Sequence, residues 1–325
     1  MPVGGPAAGA GVPLRRHPPH RARAVVTTTT TDPATVPSSD PAPTNAVGVV
    51  HLRVTDPTRS TPPRGETPGS DVRSIDVTVR SPTYGDPGSP ENEGAAAQAG
   101  TFPLVVFAHG FDASAETYAT LEHQLAVAGF VVAAPDFSMT SSAIAGPADE
   151  GDVVNQAADV SFVVSTLFDP DRVPTVLAGA IGEGPVGVVG HSDGGVTAAG
   201  VAYDSEVADA RIGAAVVLSG AIDRFPGSWF TTASPPLLAV HGSDDQVNPF
   251  GSSQVLYDAA WGPRLLVAVE GGSHLGPFTD EPAEPDVAAL VAAFLHTYLQ
   301  VDAGVGTTLD ALANVSGELA LIAEG

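Results

Sequence analysis

Three polar residues stand where acyl-transfer chemistry would need them. Ser192 is the centre of Gly190-His191-Ser192-Asp193-Gly194, a G-x-S-x-G pattern. Such a turn holds a serine at the tip of a sharp strand-to-helix bend, with its hydroxyl exposed. Glycines on either side leave room where side chains would strike the neighbouring strand and helix. A serine hydroxyl is a weak nucleophile, so it needs a base, and the base needs an orienting carboxylate. His274, in Gly271-Gly272-Ser273-His274-Leu275-Gly276, is the candidate base. A histidine in a Gly/Ser turn just past an apolar run is poorly explained by core packing; the alternative is a solvated loop histidine. The loop His241-Gly242-Ser243-Asp244-Asp245-Gln246-Val247-Asn248-Pro249 offers two carboxylates. Asp245 is preferred over Asp244 as the acid, the alternative being an Asx-turn residue in a polar loop.

The reaction also needs an oxyanion site, two backbone N–H groups aimed at the developing negative oxygen. The residue after the nucleophile, Asp193, should supply one. The loop Ala108-His109-Gly110-Phe111 should supply the other, from Phe111. Asp193 also puts a carboxylate beside the nucleophile, which should disfavour anionic substrates.

These residues need a scaffold that brings distant loops together. From residue 101 onward, short apolar runs alternate with helical patterns: Pro103 to Ala108, Phe130 to Ala134, Val186 to Val189, Ile212 to Leu218, Leu237 to Val240 and Leu265 to Val269. Continuous apolar runs of this length suit strands buried on both faces. Helical spacing joins Tyr118, Leu121 and Leu125, then Val153 to Leu167, Val196 to Val201, and Val287 to Tyr298. Ahead of these, Val47 to Val54 and the alternating Ile75, Val77 and Val79 read as strands. The expected fold is α/β, a mostly parallel sheet with helices on both faces, whose loops at the carboxyl ends of the strands carry the site. Ser192, Asp245 and His274 each follow such a strand.

The chain divides into a Pro/Thr/Arg-rich arm over 1–46, read as disordered, a catalytic domain over 47–301, and a tail over 302–325 that is loose or a short helix around Leu309, Leu312, Leu319 and Leu321. The arm has basic residues but no following apolar h-region, so it is no clean signal peptide. A Thr/Pro linker still suits an exported enzyme; otherwise the protein is cytoplasmic. No apolar run is long enough to span a bilayer.

Composition narrows the partners. Acidic residues number 37 against 13 basic ones, for a net charge of −24, and lysine is absent. Such a surface repels nucleic acid and anionic membranes. With no cysteine there is no disulfide, thiolate metal site or cysteine nucleophile. No H-E-x-x-H or similar spacing occurs, so no cofactor and no catalytic metal are expected, beyond incidental Ca²⁺ on an acidic surface. Asn314-Val315-Ser316 is a formal glycosylation sequon that chance explains. His109 and His191 read as packed, hydrogen-bonded neighbours of the motifs, and His241 as a strand-end cap. The interval from Ser192 to Asp245 has no room for a large lid. Loops 138–152 and 222–235 should wall a shallow cleft, with Phe225, Trp229 and Phe230 as apolar lining; Trp229 could equally be core. A monomer is expected.

Phe102-Pro103-Leu104-Val105-Val106-Phe107-Ala108-His109-Gly110-Phe111, with Gly129-Phe130-Val131-Val132-Ala133-Ala134-Pro135-Asp136 and the Ser192 elbow, resembles the α/β-hydrolase family. The similarity is to its bacterial branch of platelet-activating-factor acetylhydrolase-like, dienelactone-hydrolase-like and cutinase-like polyester hydrolases. It spans residues 48–300 and includes the order Ser192, Asp245, His274. It implies serine ester hydrolysis; the shallow cleft expected above suits short-to-medium acyl esters or, as the alternative, a polyester surface. Departures are Asp193 where polyester hydrolases carry methionine, and no tryptophan in Leu218-Ser219-Gly220-Ala221. Dienelactone hydrolases proper use a cysteine, which is absent. A catalytically silent binding protein of the same fold is the alternative from another class.

Overall fold

A computed structural model describes residues 45–231, 234–299 and 318–324. Residues 1–44 of the arm and the sequon lie outside the described residues, whereas Asn45 and Ala46, read as the end of the arm, are buried, and Ala46 opens the first strand. Among the described residues ten strands form one sheet: β1 (Ala46–Asp56), β2 (Arg73–Thr83), β3 (Asn92–Glu93), β4 (Leu104–Ala108), β5 (Val131–Asp136), β6 (Val186–His191), β7 (Ile212–Leu218), β8 (Leu237–Gly242), β9 (Arg264–Val269) and β10 (Leu319–Glu324). Their spatial order is β10-β9-β8-β7-β6-β4-β5-β2-β1-β3. The centre, β9 through β5, is parallel; β2 joins β5 and β10 joins β9 antiparallel. This is an open α/β-hydrolase sheet.

Among the described residues five α-helices cover it: α1 (Ala119–Val127), α2 (Val153–Phe168), α3 (Asp193–Tyr203), α4 (Gly251–Ala259) and α5 (Glu284–Leu299). α2, α3 and α4 share one buried apolar cluster with one sheet face, including Val160, Val164, Val201 and Leu256. α1 and α5 share the other, including Leu121, Leu125, Val291 and Phe294. Both faces of the central strands are therefore dry. That is why β4 and β6 read as unbroken apolar runs and not as alternating ones.

The chain reverses its direction of travel across the sheet at β4, which has β5 on one side and β6 on the other. Loops leaving neighbouring strands on opposite faces open a crevice at such a switch point. The segment after β4 holds His109, Gly110 and Phe111; the segment after β6 holds Ser192.

Three elements differ from the sequence reading, the first being β3, whose two residues are too few to show a period. α4 was not expected, because Gly251, Ser252 and Ser253 look like a turn and only Ser253, Leu256 and Tyr257 of the helix are buried. Leu319 and Leu321 stand in an edge strand, neither helical nor loose: β10 pairs with β9 through Leu319–Val269 and Leu321–Val267. The end of the segment read as a tail thus belongs to the sheet.

Candidate active site

The turn after β6 explains its own composition. Ser192 has φ 55° and ψ −120°, a left-handed conformation that L-residues avoid. Its amide is fixed by the Leu218 carbonyl at 2.9 Å, and its carbonyl starts α3 by accepting from Val196. A Cβ on Gly190 would lie 2.0 Å from the Gly194 oxygen, and one on Gly194 2.0 Å from the Ala108 oxygen. Only glycine fits at either position, and the strain at Ser192 is held by strand and helix together.

His274 is carried by a turn after β9. Gly271 there takes φ 72°, and the Ser273 amide is caught by the Glu281 carboxylate. His274 Nε2 lies 3.0 Å from Ser192 Oγ, and its Nδ1 lies 2.7 Å from Asp245 Oδ2. An Nδ1 facing a carboxylate must carry the proton, which leaves the Nε2 lone pair to accept the serine O–H. Asp245 Oδ1 accepts the amides of Val247 and Asn248, each at 2.8 Å. Burial acts to raise the Asp245 pKa, but the His274 bond and these two amides outweigh it and hold the carboxyl below its usual range. Asp244 is exposed, and its amide bonds the Gly272 carbonyl; the fold brings Asp245, not Asp244, to His274.

Phe111 follows β4, and Asp193 opens α3. Among the described residues neither backbone N–H has an acceptor. The loop abuts the nucleophile, since a Cβ on Gly110 would lie 3.3 Å from Ser192 Cβ. A hydrogen-bond chain anchors it: the Gly110 amide donates to the Tyr118 hydroxyl, which donates to His191 Nδ1 at 2.7 Å. His109 is anchored as well, accepting the Phe137 amide and donating to the Gly110 carbonyl.

The Asp193 side chain is half-buried, and its Oδ2 has no partner among the described residues. Burial raises its pKa; Arg224 opposes that, while Glu150 and Asp223 add to it. Arg224 is ion-paired to Glu150, which links the loops after β5 and β7.

A cavity of about 590 Å³ adjoins the Phe111 loop, lined among others by Pro63, Arg64, Phe111, Met139, Pro147 and Glu150. Met139 and residues 147–151 of loop 138–152 line this cavity. Pro63, Arg64 and Gly65, in the connection between β1 and β2, line it too, a contact that no local pattern foreshadows. Arg64, 3% exposed, straps the two by donating to the carbonyls of Ser138, Ser141 and Pro147.

Phe225, Trp229 and Phe230 are not cleft lining. Phe225 is buried against Gly200 of α3, Trp229 meets Phe225 edge-on, and Phe230 stacks on Tyr203. At about 1.5 Å per helical residue, these contacts lie some 12 Å or more beyond Ser192 along α3. Gly200 leaves a gap on α3 that the Phe225 ring fills, and Trp229 and Phe230 pack around it on Phe225 and Tyr203. Among the described residues no group of three or more acidic or histidine side chains could hold a metal, and no helix is long and apolar enough to cross a membrane.

A family model described as chlorophyllase matches residues 72–241, about half of the chain. The chain belongs to the chlorophyllase family. This chlorophyllase-family chain is thereby a hydrolase of the esterase kind. The match includes Ser192 and the Phe111 loop but ends ahead of Asp245 and His274. The solved structure of a ferulic acid esterase from Streptomyces cinnamoneus shares the fold with a TM-score of 0.66 at 21% identity, covering 88% of this chain and 98% of that one. A 54-residue stretch is 37% identical to the uncharacterized protein YfhR of Escherichia coli K12 and of O157:H7. It covers 16% of this chain and only 19% of YfhR.

Proposed function

We propose that this protein is a serine carboxylic-ester hydrolase that works through an acyl-enzyme on short-to-medium acyl esters. The observation that carries the reading is the continuous line from Ser192 Oγ through His274 to Asp245, at 3.0 and 2.7 Å, on a strained elbow. His274 Nε2 takes the Ser192 proton as Oγ attacks the ester carbonyl. Asp245 keeps the imidazole in the Nδ1–H tautomer and stabilises its cation. The N–H groups of Phe111 and Asp193 receive the oxyanion, and one such donor contributes about 3 kcal/mol in the transition state. His274 then protonates the leaving alkoxide, and the same groups serve water in deacylation.

A polyester is the second reading. Exposed Phe111 and Leu275, 41% and 38% accessible, sit on two of the loops that meet at Ser192 and offer an apolar rim to a surface substrate. A p-nitrophenyl ester chain-length series run beside a polyester film separates the two substrate readings. Labelling by a fluorophosphonate probe tests the mechanism. Loss of label in Ser192→Ala supports it, and an unlabelled wild type means a silent binding protein instead.

A further inference from the structure

A second Ser–His pair backs the acid. His241, at the end of β8, is fully buried, and so is Ser253 of α4. His241 Nδ1 lies 2.7 Å from Ser253 Oγ. Its Nε2 faces only acceptors, the Asn248 carbonyl at 3.1 Å and Asp245 Oδ2 at 3.2 Å. Nε2 must therefore carry the hydrogen, and Nδ1 must accept the Ser253 hydroxyl proton. Asp245 Oδ2 thus sits between two imidazole N–H groups, one from His274 and one from His241. Asn248, which accepts from His241, is also the residue whose amide donates to Asp245 Oδ1 and whose side chain ties back to the Ser219 carbonyl.

We propose that His241 is a positioning residue for the acid of the site: held in its Nε2–H tautomer by Ser253, it fixes the Asp245 carboxylate directly and through Asn248, and so sets the orientation and basicity of His274. This rests on the serine-hydrolase reading. An N–H beside Oδ2 withdraws charge from the oxygen that His274 uses, so removing it makes the carboxylate more basic and looser at once. Other charged or titratable groups near this line include His191, whose ring centroid is 4.7 Å from that of His274, Asp193, which acts on His274 through charge, and Glu281, whose carboxylate holds the Ser273 amide. None of the three belongs to the loop that carries Asp245, so all stay in place when His241 is changed.

The test compares His241→Leu, which has no donor, with His241→Gln, whose amide nitrogen can stand near the Nε2 position. Steady-state kinetics on a p-nitrophenyl ester should show kcat about tenfold lower in the leucine variant, with KM within about twofold. The acid limb of its kcat/KM profile should move up by about half a pH unit. The glutamine variant should recover most of both. A folded leucine variant with wild-type kcat and an unmoved limb overturns the inference. Should the leucine variant not fold, ¹⁵N NMR of wild-type protein decides: a protonated Nε2 on His241 supports the inference, and a bare Nε2 overturns it. Failure of the wild type to hydrolyse ester or take the fluorophosphonate probe would count against the hydrolase reading itself, a separate result.

Discussion

His191 Nε2 lies 2.8 Å from the main-chain carbonyl of His274. The residue before the nucleophile therefore holds the backbone of the candidate base. Through its other nitrogen it accepts from Tyr118, which accepts from Gly110. One buried imidazole thus joins the elbow, the base loop and the oxyanion loop.

Replacing His191 by leucine leaves the Tyr118 hydroxyl and the His274 carbonyl without their partner. The expected loss is about 2–4 kcal/mol of stability near neutral pH, since each buried group left unpaired costs about 1–3 kcal/mol. Urea unfolding measures it. The effect has a pH signature. Burial first, then the nearby His274, pushes the His191 pKa from 6.5 to about 3. The folded chain holds the neutral ring, so this contribution is full above pH 6.5 and is lost as pH falls toward about 3. The stability gap between wild type and variant should narrow over that window; a constant gap would contradict the buried neutral ring.

Ser192→Ala should lower kcat by roughly 10⁴–10⁶-fold. Asp245→Asn should cost on the order of 10⁴-fold by favouring the wrong tautomer of His274. Asp244→Asn should stay within about twofold, because Asp244 is exposed and bonds no part of the base side chain. Ester hydrolysis at pH 8 reads all three, and equal losses at Asp244 and Asp245 would reassign the acid.

Asp193 should select against anionic esters. Asp193→Asn should raise kcat/KM for a half-ester of a dicarboxylic acid by about threefold to tenfold relative to a neutral ester of equal length, the range expected for one partly screened charge. No change in that ratio would remove Asp193 from substrate selection.

Glu122 of α1 is fully buried and paired with Arg80. Burial, opposed by Arg80 and aided by Asp136, pushes its pKa up to about 8. A raised value means the protonated form suits the folded state, so this contribution is full below about 4.5 and is lost as pH rises through about 8. Glu122→Gln should therefore gain on the wild type as pH climbs from 5 to about 9, read by thermal unfolding across that range.

Gly194→Ala places a Cβ 2.0 Å from the Ala108 carbonyl oxygen, below any tolerated contact. The variant should lose fluorophosphonate labelling and unfold several degrees earlier by calorimetry.

Much of this protein is legible in order along the chain. Apolar runs locate β4 to β9, because strands buried on both faces have nowhere to put polar side chains. Gly190 and Gly194 announce a turn no other residue fits, and the polar loops after β8 and β9 stand out against the apolar runs before them. What the chain order cannot carry is distance. The choice between Asp244 and Asp245 depends on which carboxylate the turn after β8 aims at His274. Phe225, Trp229 and Phe230 look like lining for a cleft, yet Phe225 fills the space Gly200 leaves on α3 and the other two pack on Phe225 and Tyr203, a fact about volume and not about sequence neighbourhood. His241 reads as a strand-end residue until the fold sets it beside Asp245 and Ser253, and Arg64 has no visible task until loop 138–152 offers it three carbonyls. Residue types and local periods fix the strands and the turns between them; contacts between segments far apart in the chain, made only when two dry faces close on one sheet, decide which side chains meet.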